Sequence, residues 1–494
     1  MKSLSVLPFV LCVLMYSCTS SQTISKMNAD EVLHEIHGTI VFNPRTGNYD
    51  TVYVKNIRID TVDWKNPPMK ITASPIGANN IATVKSPVSN RGEKLEKVSG
   101  AVIVEQTKSV AGLLSASAVR NQKKVFRVAY LLPFFTDKFS ESENDIYEKS
   151  KWALHFYSGA KLALDSLEND NIRLEISVKD TKASEMQFKQ LLLQESVMNA
   201  DVIIGGETNT NVELAADFAK KNGKILISPY NPSSEMVTEN PQFVQINPGL
   251  RTNCEAIMRN IRKTFTPGQI ILLCRDKPNE KEALQYLQLE HLKLSAKVQV
   301  PLKEYIIEDK NGVAAFDPKI FLNKDNVVIV MPVWGQNSET FVYSLLSKIN
   351  SSIGKKNVIV YGMPQWSNFQ VNVFDVFEPL QVHITQPVFI DRFSPDAVSF
   401  SASFFEKYHA APTDEAFIGY DITLYCGLML KEYGARFNEV MDKMPYDGLH
   451  TNFLFEKDVN PGHKPSGPGV HFDRIVNKYV NILKFHDGCF GPVN

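Results

Sequence analysis

The 494-residue chain is 44% hydrophobic and 22% charged, the composition of an ordinary globular protein long enough for roughly two to four domains. Its formal net charge of −1 removes any electrostatic case for binding nucleic acid or a bulk anionic surface.

Met1-Lys2 precedes an apolar run over residues 4–16, which ends at Ser17-Cys18 and a polar Thr19-Ser20-Ser21-Gln22. The run is too short to span a bilayer, and its basic start and small polar exit read as an export signal. The cysteine at the exit resembles the bacterial lipoprotein box, with Met15 in the aliphatic position and Tyr16 a looser fit. That resemblance implies acylation of Cys18 and a membrane anchor worth about 0.8 kcal/mol per buried methylene. The alternative is a signal cut elsewhere, with Cys18 incidental. Cys254, Cys274, Cys426 and Cys489 are scattered without metal-ligand spacing, so isolated buried thiols are expected.

Residues 19–120 read as a tether with weak strand content. Alternation over 50–55 and 57–62 suggests an exposed strand or hairpin, and Pro67-Pro68, Pro75, Pro87 and Gly92 punctuate a Ser/Asn/Lys-rich stretch. His34-Glu35-Ile36-His37 has the wrong spacing for a helical zinc motif. Gly462-His463-Lys464 lacks the ending of a phosphate-binding loop, and no nucleophile elbow appears. No metal, cofactor or catalytic group is predicted.

From residue 125, short apolar runs alternate with amphipathic helices. Strands are predicted over 125–132, 172–178, 201–206, 224–228, 269–273, 327–331 and 357–361. Helices are predicted over 148–167, 251–263, 280–292, 394–408 and 414–433, among others. Such alternation implies parallel sheets, which bind ligands at the carboxyl ends of their strands. Two loops fall there: Glu207-Thr208-Asn209-Thr210-Asn211 and Pro229-Tyr230-Asn231-Pro232-Ser233-Ser234. They offer hydroxyls, carboxamides and helix N-terminal N–H groups, which suit a small polar solute.

The ordered series resembles the type 1 periplasmic binding proteins, the leucine/isoleucine/valine-binding and receptor ligand-binding-region group. It rests on these loops and on Phe243-Val244-Gln245-Ile246-Asn247-Pro248, similar to the strand entering the family's second lobe. Further on, Phe404-Phe405-Glu406-Lys407-Tyr408 with Pro412 and Gly419-Tyr420-Asp421 is similar to its late helix pair. Phe453-Leu454-Phe455 and Val470-His471-Phe472-Asp473 are similar to its closing strands. The resemblance implies an α/β fold of two Rossmann-like lobes with parallel sheets joined by crossing hinge segments. The N-terminal run and its cysteine give residues 1–18 as signal peptide, and the family resemblance implies 121–494 as the binding-protein region. The first lobe would take about 125–247 and 388–436, and the second about 248–387 and 437–494.

By the same resemblance, a cleft between the lobes would be lined by Phe134, Thr208, Asn209, Thr210, Tyr230, Asn231, Ser233 and Ser234 from the first lobe. Phe135 would extend the apolar wall. Trp334, Gln336, Gln365 and Trp366 would come from the second. Helix N-termini at these loops favour anions, although Thr, Asn and Ser there also cap helices. Either Trp could pack under its loop. Amino-acid-binding relatives place a carboxylate near the second of the second-lobe loops to meet the ligand's ammonium, and here Gln365 stands closest to that place. The expected function is a membrane-anchored extracytoplasmic solute-binding protein for uptake or sensing of an amino acid or related solute. It would face the periplasm, with a transporter permease or envelope protein as partner. The alternative is a ligand-free structural or regulatory envelope lipoprotein acting through protein or cell-wall contacts.

Overall fold

The computed structural model describes residues 38–43, 48–53, 125–139, 146–233, 235–295, 300–322, 324–335, 337–370, 373–461, 463 and 472–493. Cys18, Ser234, Gln336, residues 57–62 and most of the expected tether lie outside the described residues. The first unit contains an antiparallel hairpin, β1 (Gly38–Asn43) with β2 (Asn48–Tyr53), in which Gly38 faces Tyr53. The second unit, described by itself, holds everything from residue 125 onward.

That unit contains two seven-stranded sheets. The first sheet uses β3 (Phe126–Leu132), β4 (Leu174–Asp180), β5 (Val202–Gly205), β6 (Ile225–Ser228) and β7 (Phe243–Gln245). The second uses β8 (Ile270–Arg275), β9 (Lys303–Ile307), β10 (Asn326–Val330), β11 (Asn357–Gly362) and β12 (His383–Gln386). Two residues each form the small hairpin of β13 (Tyr446–Asp447) and β14 (Asn452–Phe453). Next come β15 (Phe455–Asp458), β16 (Arg474–Asn477), β17 (Asn481–His486) and β18 (Cys489–Pro492).

Strand order is β15-β16-β7-β6-β5-β3-β4 in one sheet and β18-β17-β12-β11-β10-β8-β9 in the other. Every pairing is parallel except β15–β16, β12–β17 and β17–β18. β5, β6 and β8 are buried along their whole length. That is why they read as unbroken apolar runs, since helices cover both faces of a parallel sheet.

Helices α1 (Lys151–Asn169), α2 (Glu185–Leu192), α3 (Asn209–Asn222), α7 (Pro395–Tyr408) and α8 (Asp414–Tyr433) clothe the first sheet. Helices α4 (Leu250–Arg262), α5 (Pro278–Leu294) and α6 (Ser338–Asn350) clothe the second. Helices α1 and α8 meet backbone to backbone. A Cβ at Gly159 would lie 1.8 Å from the Ala416 carbonyl oxygen, and one at Gly419 would lie 1.9 Å from that of Phe156. Two glycines thus permit the close crossing.

One expected boundary is corrected. β15 and β16 lie in the first sheet, with Ile475 beside Val244 of β7, so residues 455–477 belong to the first lobe. Only β17 and β18 complete the second. The chain therefore crosses between the lobes after β7, after β12 and after β16. The cysteine expectation is also amended: Cys254, Cys274 and Cys426 are buried free thiols, whereas Cys489 is exposed.

Next to the β7 and β16 crossings lies a cluster of buried charges. Lys478 Nζ reaches Asp458 at 2.8 Å and Glu255 at 3.2 Å, and Arg474 Nη2 reaches Asp458 at 3.0 Å. Arg251 donates to Glu255 at 2.9 Å and to the Val459 carbonyl at 2.7 Å. The cluster ties α4, a second-lobe helix, to the antiparallel edge strands of the first lobe. It sits beside two of the segments that cross between the lobes.

Candidate functional site

Strand ends of both sheets face a cleft of about 840 Å³. The size falls within the range of small-molecule sites. Its lining comes from both lobes and from the first two crossing segments. The first lobe contributes Pro232, Ser233 and Glu235, the crossings contribute Asn247 and Val388, and the second-lobe elements beside those crossings contribute Leu250 and Asn253 of α4 and Gln386 at the end of β12. The second lobe contributes Asn279, Glu282, Tyr286, Trp334, Gln365, Ser367 and Asn368. Thus Ser233, Trp334 and Gln365 are the expected site residues that reach the cleft.

The other first-lobe candidates brace their loops. Gly205 and Gly206, at φ 157° and 89°, let β5 turn sharply into its loop. Thr208 then caps α3, its hydroxyl accepting from the Asn211 N–H at 3.2 Å. Asn209 accepts from the Asn231 amide at 2.8 Å, which pins the two loops together, and Asn231 accepts from the Ser233 N–H at 2.8 Å. Thr210 is exposed beside them without lining the cleft. Glu207 accepts from Thr181 and Asn211, both at 2.9 Å, and burial raises its pKa. Tyr230 packs edge-on against Trp152 at 4.5 Å; its buried hydroxyl has no partner among the described residues, and burial raises its pKa well above the ordinary value.

Phe134 packs against Tyr157 rather than in the cleft. Its loop is held by Asp180, which accepts from the backbone N–H groups of Phe134, Phe135 and Thr136 at 2.8–3.1 Å. Burial alone would raise the Asp180 pKa, but these bonds and those from the Thr136 hydroxyl and Lys182 N–H hold it below the usual range. They also stabilise Phe135 in the left-handed region, at φ 51°.

The second-lobe loops show why the two tryptophans differ. Trp366 is fully buried; its indole N–H donates to the Val333 carbonyl at 2.8 Å, and its ring stacks on Phe369 and Phe377. It supports the β10 loop from beneath. Trp334, on that loop, lines the cleft, and its carbonyl accepts from Arg275 at 2.7 Å. Arg275 is itself buried, paired with Glu280 and lying over the Phe341 ring.

Sequence reasoning missed Glu235, Asn253, Asn279, Glu282, Tyr286 and Gln386. Asn247, just beyond the strand entering the second lobe, also lines the cleft, and its amide donates to the Tyr230 carbonyl at 2.7 Å and fixes the 230–233 loop. Glu282 and Tyr286 lie one turn apart on α5, and the tyrosine hydroxyl donates to the carboxylate at 2.7 Å. Charged residues on a helix look like a solvated face in sequence, so no local signal marked them. Among the described residues no group of three or more His, Cys, Asp or Glu is placed to hold a metal, and no helix is long and apolar enough to cross a membrane.

No family model matches the chain, and no curated protein matches it. Solved structures do. A protein from Rhodospirillum rubrum, provisionally named a branched-chain amino acid ABC transporter, aligns at TM-score 0.53 and 14% identity. The alignment covers 75% of this chain and 100% of that one. A branched-chain amino acid ABC transporter periplasmic ligand-binding protein from Burkholderia xenovorans aligns at TM-score 0.50 and 10% identity, covering 75% and 94%. The C-domain of LpoA from Haemophilus influenzae, a regulator of PBP1A, aligns at TM-score 0.49 and 13% identity, covering 74% and 100%. The first two likenesses, with the sheet orders above, define the fold: the chain has the two-lobe α/β architecture of the type 1 periplasmic binding proteins.

Proposed function

We propose that the protein holds a small polar solute between its two lobes, closes on it, and presents the closed form to a transporter permease or signalling partner. The observation that carries this reading is the cleft itself, lined by side chains from both lobes and from the segments that cross between them. A ligand touching both lobes favours the closed state by its difference in affinity between the two states. Trp334 and Tyr286 offer apolar faces, and Ser233, Asn279, Gln365 and Asn368 offer orienting polar groups. An amino acid or a related solute is of suitable size. Binding and closure account for the reading without a catalytic step. Acylation of Cys18 would tether the chain to the bacterial envelope, facing the periplasm.

A metabolite thermal-shift screen on the full chain tests the proposal. A ligand at 100 times its Kd adds about 2.7 kcal/mol of stability, and Trp334→Ala should weaken any hit. The second reading is a ligand-free regulatory envelope protein. It is favoured by one feature: Phe393, Val398 and Phe405, each at least half exposed, on and just before α7. Silence across the screen, together with a defined envelope partner lost on Val398→Ser/Phe405→Ser, would favour that reading.

A further inference from the structure

Away from the cleft, the first lobe holds a second cavity of about 490 Å³, within the size range of small-molecule sites. Helices α1 and α7 each turn one face to it, since their lining residues, over 162–169 and 396–403, fall at i, i+3, i+4 and i+7. Helix α8 contributes Tyr420 and Asp421. The hairpin of β13 and β14, packed on the first-lobe core, contributes Tyr446 and Asp447. No residue that lines the cleft lines this cavity.

Asp421 marks the cavity as a site. It is wholly buried, at 0% exposure, and the turn over 448–451 presses against only one of its oxygens. A Cβ at Gly448 would lie 2.6 Å from Oδ2, so glycine permits that approach. His450 then holds Oδ2, from its backbone N–H at 2.8 Å and its ring Nδ1 at 2.5 Å. Both contacts fix the carboxylate, and Oδ1 is left buried with no hydrogen-bond partner among the described residues. A buried carboxylate oxygen without a donor is costly and rare in native proteins. The lining serines, tyrosines and Asn169 leave Oδ1 unmet, and no lysine, arginine or histidine lines the cavity. It holds four aspartates instead. Asp165 is paired with Lys407, whereas Asp396 and Asp447 stand exposed at the cavity. Beside them the Phe400 and Tyr420 rings, 5.0 Å apart, offer apolar surface.

We propose that this cavity binds a small organic cation carrying N–H donors, a guanidinium or a primary ammonium. One N–H meets Asp421 Oδ1, the charge lies among Asp396, Asp421 and Asp447, and the carbon stem packs on Phe400 and Tyr420. The site goes beyond the solute-binding reading of the cleft and does not rest on it. Its whole lining belongs to the first lobe, so occupancy requires no lobe closure.

Calorimetric titration of the full chain with butylguanidinium, butyltrimethylammonium, butan-1-ol and butyrate tests this, since the four carry a butyl or butyrate chain and differ in charge and N–H donors. Butylguanidinium should bind about tenfold more tightly than butyltrimethylammonium, a cation with no N–H, and should weaken as salt rises. The alcohol and the anion should give no heat of binding. Asp421→Asn should cost about tenfold in affinity. Because Asp421 also holds the hairpin turn, three variants at exposed positions are read beside it. Asp396→Asn and Asp447→Asn should each lose about threefold, and Ser403→Trp, on the lining face of α7, should fill the cavity and abolish binding. Equal binding of butyltrimethylammonium or butan-1-ol, or butylguanidinium binding that survives Ser403→Trp, overturns the proposal. Binding lost in Trp334→Ala but kept in the cavity variants would place the cation in the cleft and overturn it too. Silence of all four probes overturns this site and leaves the solute-binding reading of the cleft standing.

Discussion

Replacing Lys478 with methionine should destabilise the protein by about 3 kcal/mol. The Lys478 side chain is 4% exposed and its ammonium bridges Asp458 and Glu255, themselves 5% and 7% exposed. Removing one member of a buried pair leaves charge uncompensated and costs roughly 3–5 kcal/mol. Here Asp458 keeps Arg474 at 3.0 Å and Glu255 keeps Arg251 at 2.9 Å, so the low end of the range is expected. Methionine retains most of the stem volume, which makes the lost charge the dominant change. The substitution should also alter the response to acid. Burial alone would raise the Asp458 pKa, but Lys478 first, with Arg251 and Arg474, holds it below the ordinary value. A carboxylate whose folded pKa is depressed stabilises the fold above its unfolded pKa of about 3.9, and that contribution is lost as pH falls through the folded value. In Lys478→Met the carboxyl moves back up, so acid unfolding should begin at a higher pH. Urea unfolding followed by circular dichroism at neutral pH, and an acid titration of both proteins, give the two readouts. A loss under about 1 kcal/mol, or an unchanged acid onset, would show that the cluster contributes little stability beside the crossing segments.

Gly419→Ala drives a methyl group into the Phe156 carbonyl, with no flexible side chain to yield, and should lower stability by about 3 kcal/mol in thermal unfolding; loss-free substitution would mean that α1 and α8 can separate easily. His383 is buried against Tyr361, and burial, then Lys484, pushes its pKa down to about 4. It folds neutral while the unfolded chain protonates near 6.5, so stability should fall by about 2 kcal/mol between pH 7 and pH 5. His383→Phe should flatten that slope, and an unaltered slope would assign it to other groups. Cys18→Ala should abolish labelling by an acyl-chain analogue in cells, because the cysteine sulfur is the acceptor and no neighbouring thiol replaces it; persistent label would place the anchor elsewhere.

The buried parallel strands were legible because both faces are covered. Asp201-Val202-Ile203-Ile204 and Ile270-Ile271-Leu272-Leu273 have no polar alternation to obscure them. The closing strands were harder to place. β16 gains its lobe from pairing with β7, more than two hundred residues earlier, and nothing local distinguishes it from β17. At the site, the loops were found but not their division of labour. Thr208, Asn209 and Asn231 satisfy one another and helix ends, as their residue types also allow. Trp334 and Trp366 are equivalent as letters, and only the bond from Trp366 to Val333 separates support from lining. Glu235 and Glu282 line one cleft from different lobes, a neighbourhood that no sequence spacing encodes.

Solute occupancy and lobe closure should be coupled, and an electron–electron distance measurement between the lobes tests that coupling. One spin label goes on Cys489, exposed in the second lobe, and the other on an introduced Met186→Cys, exposed on α2 of the first. The buried thiols Cys254, Cys274 and Cys426 stay unlabelled. A saturating hit from the metabolite screen should shift the distance distribution to a single, narrower population, and Trp334→Ala should require more ligand for the same shift. An identical distribution with and without saturating ligand would contradict the account.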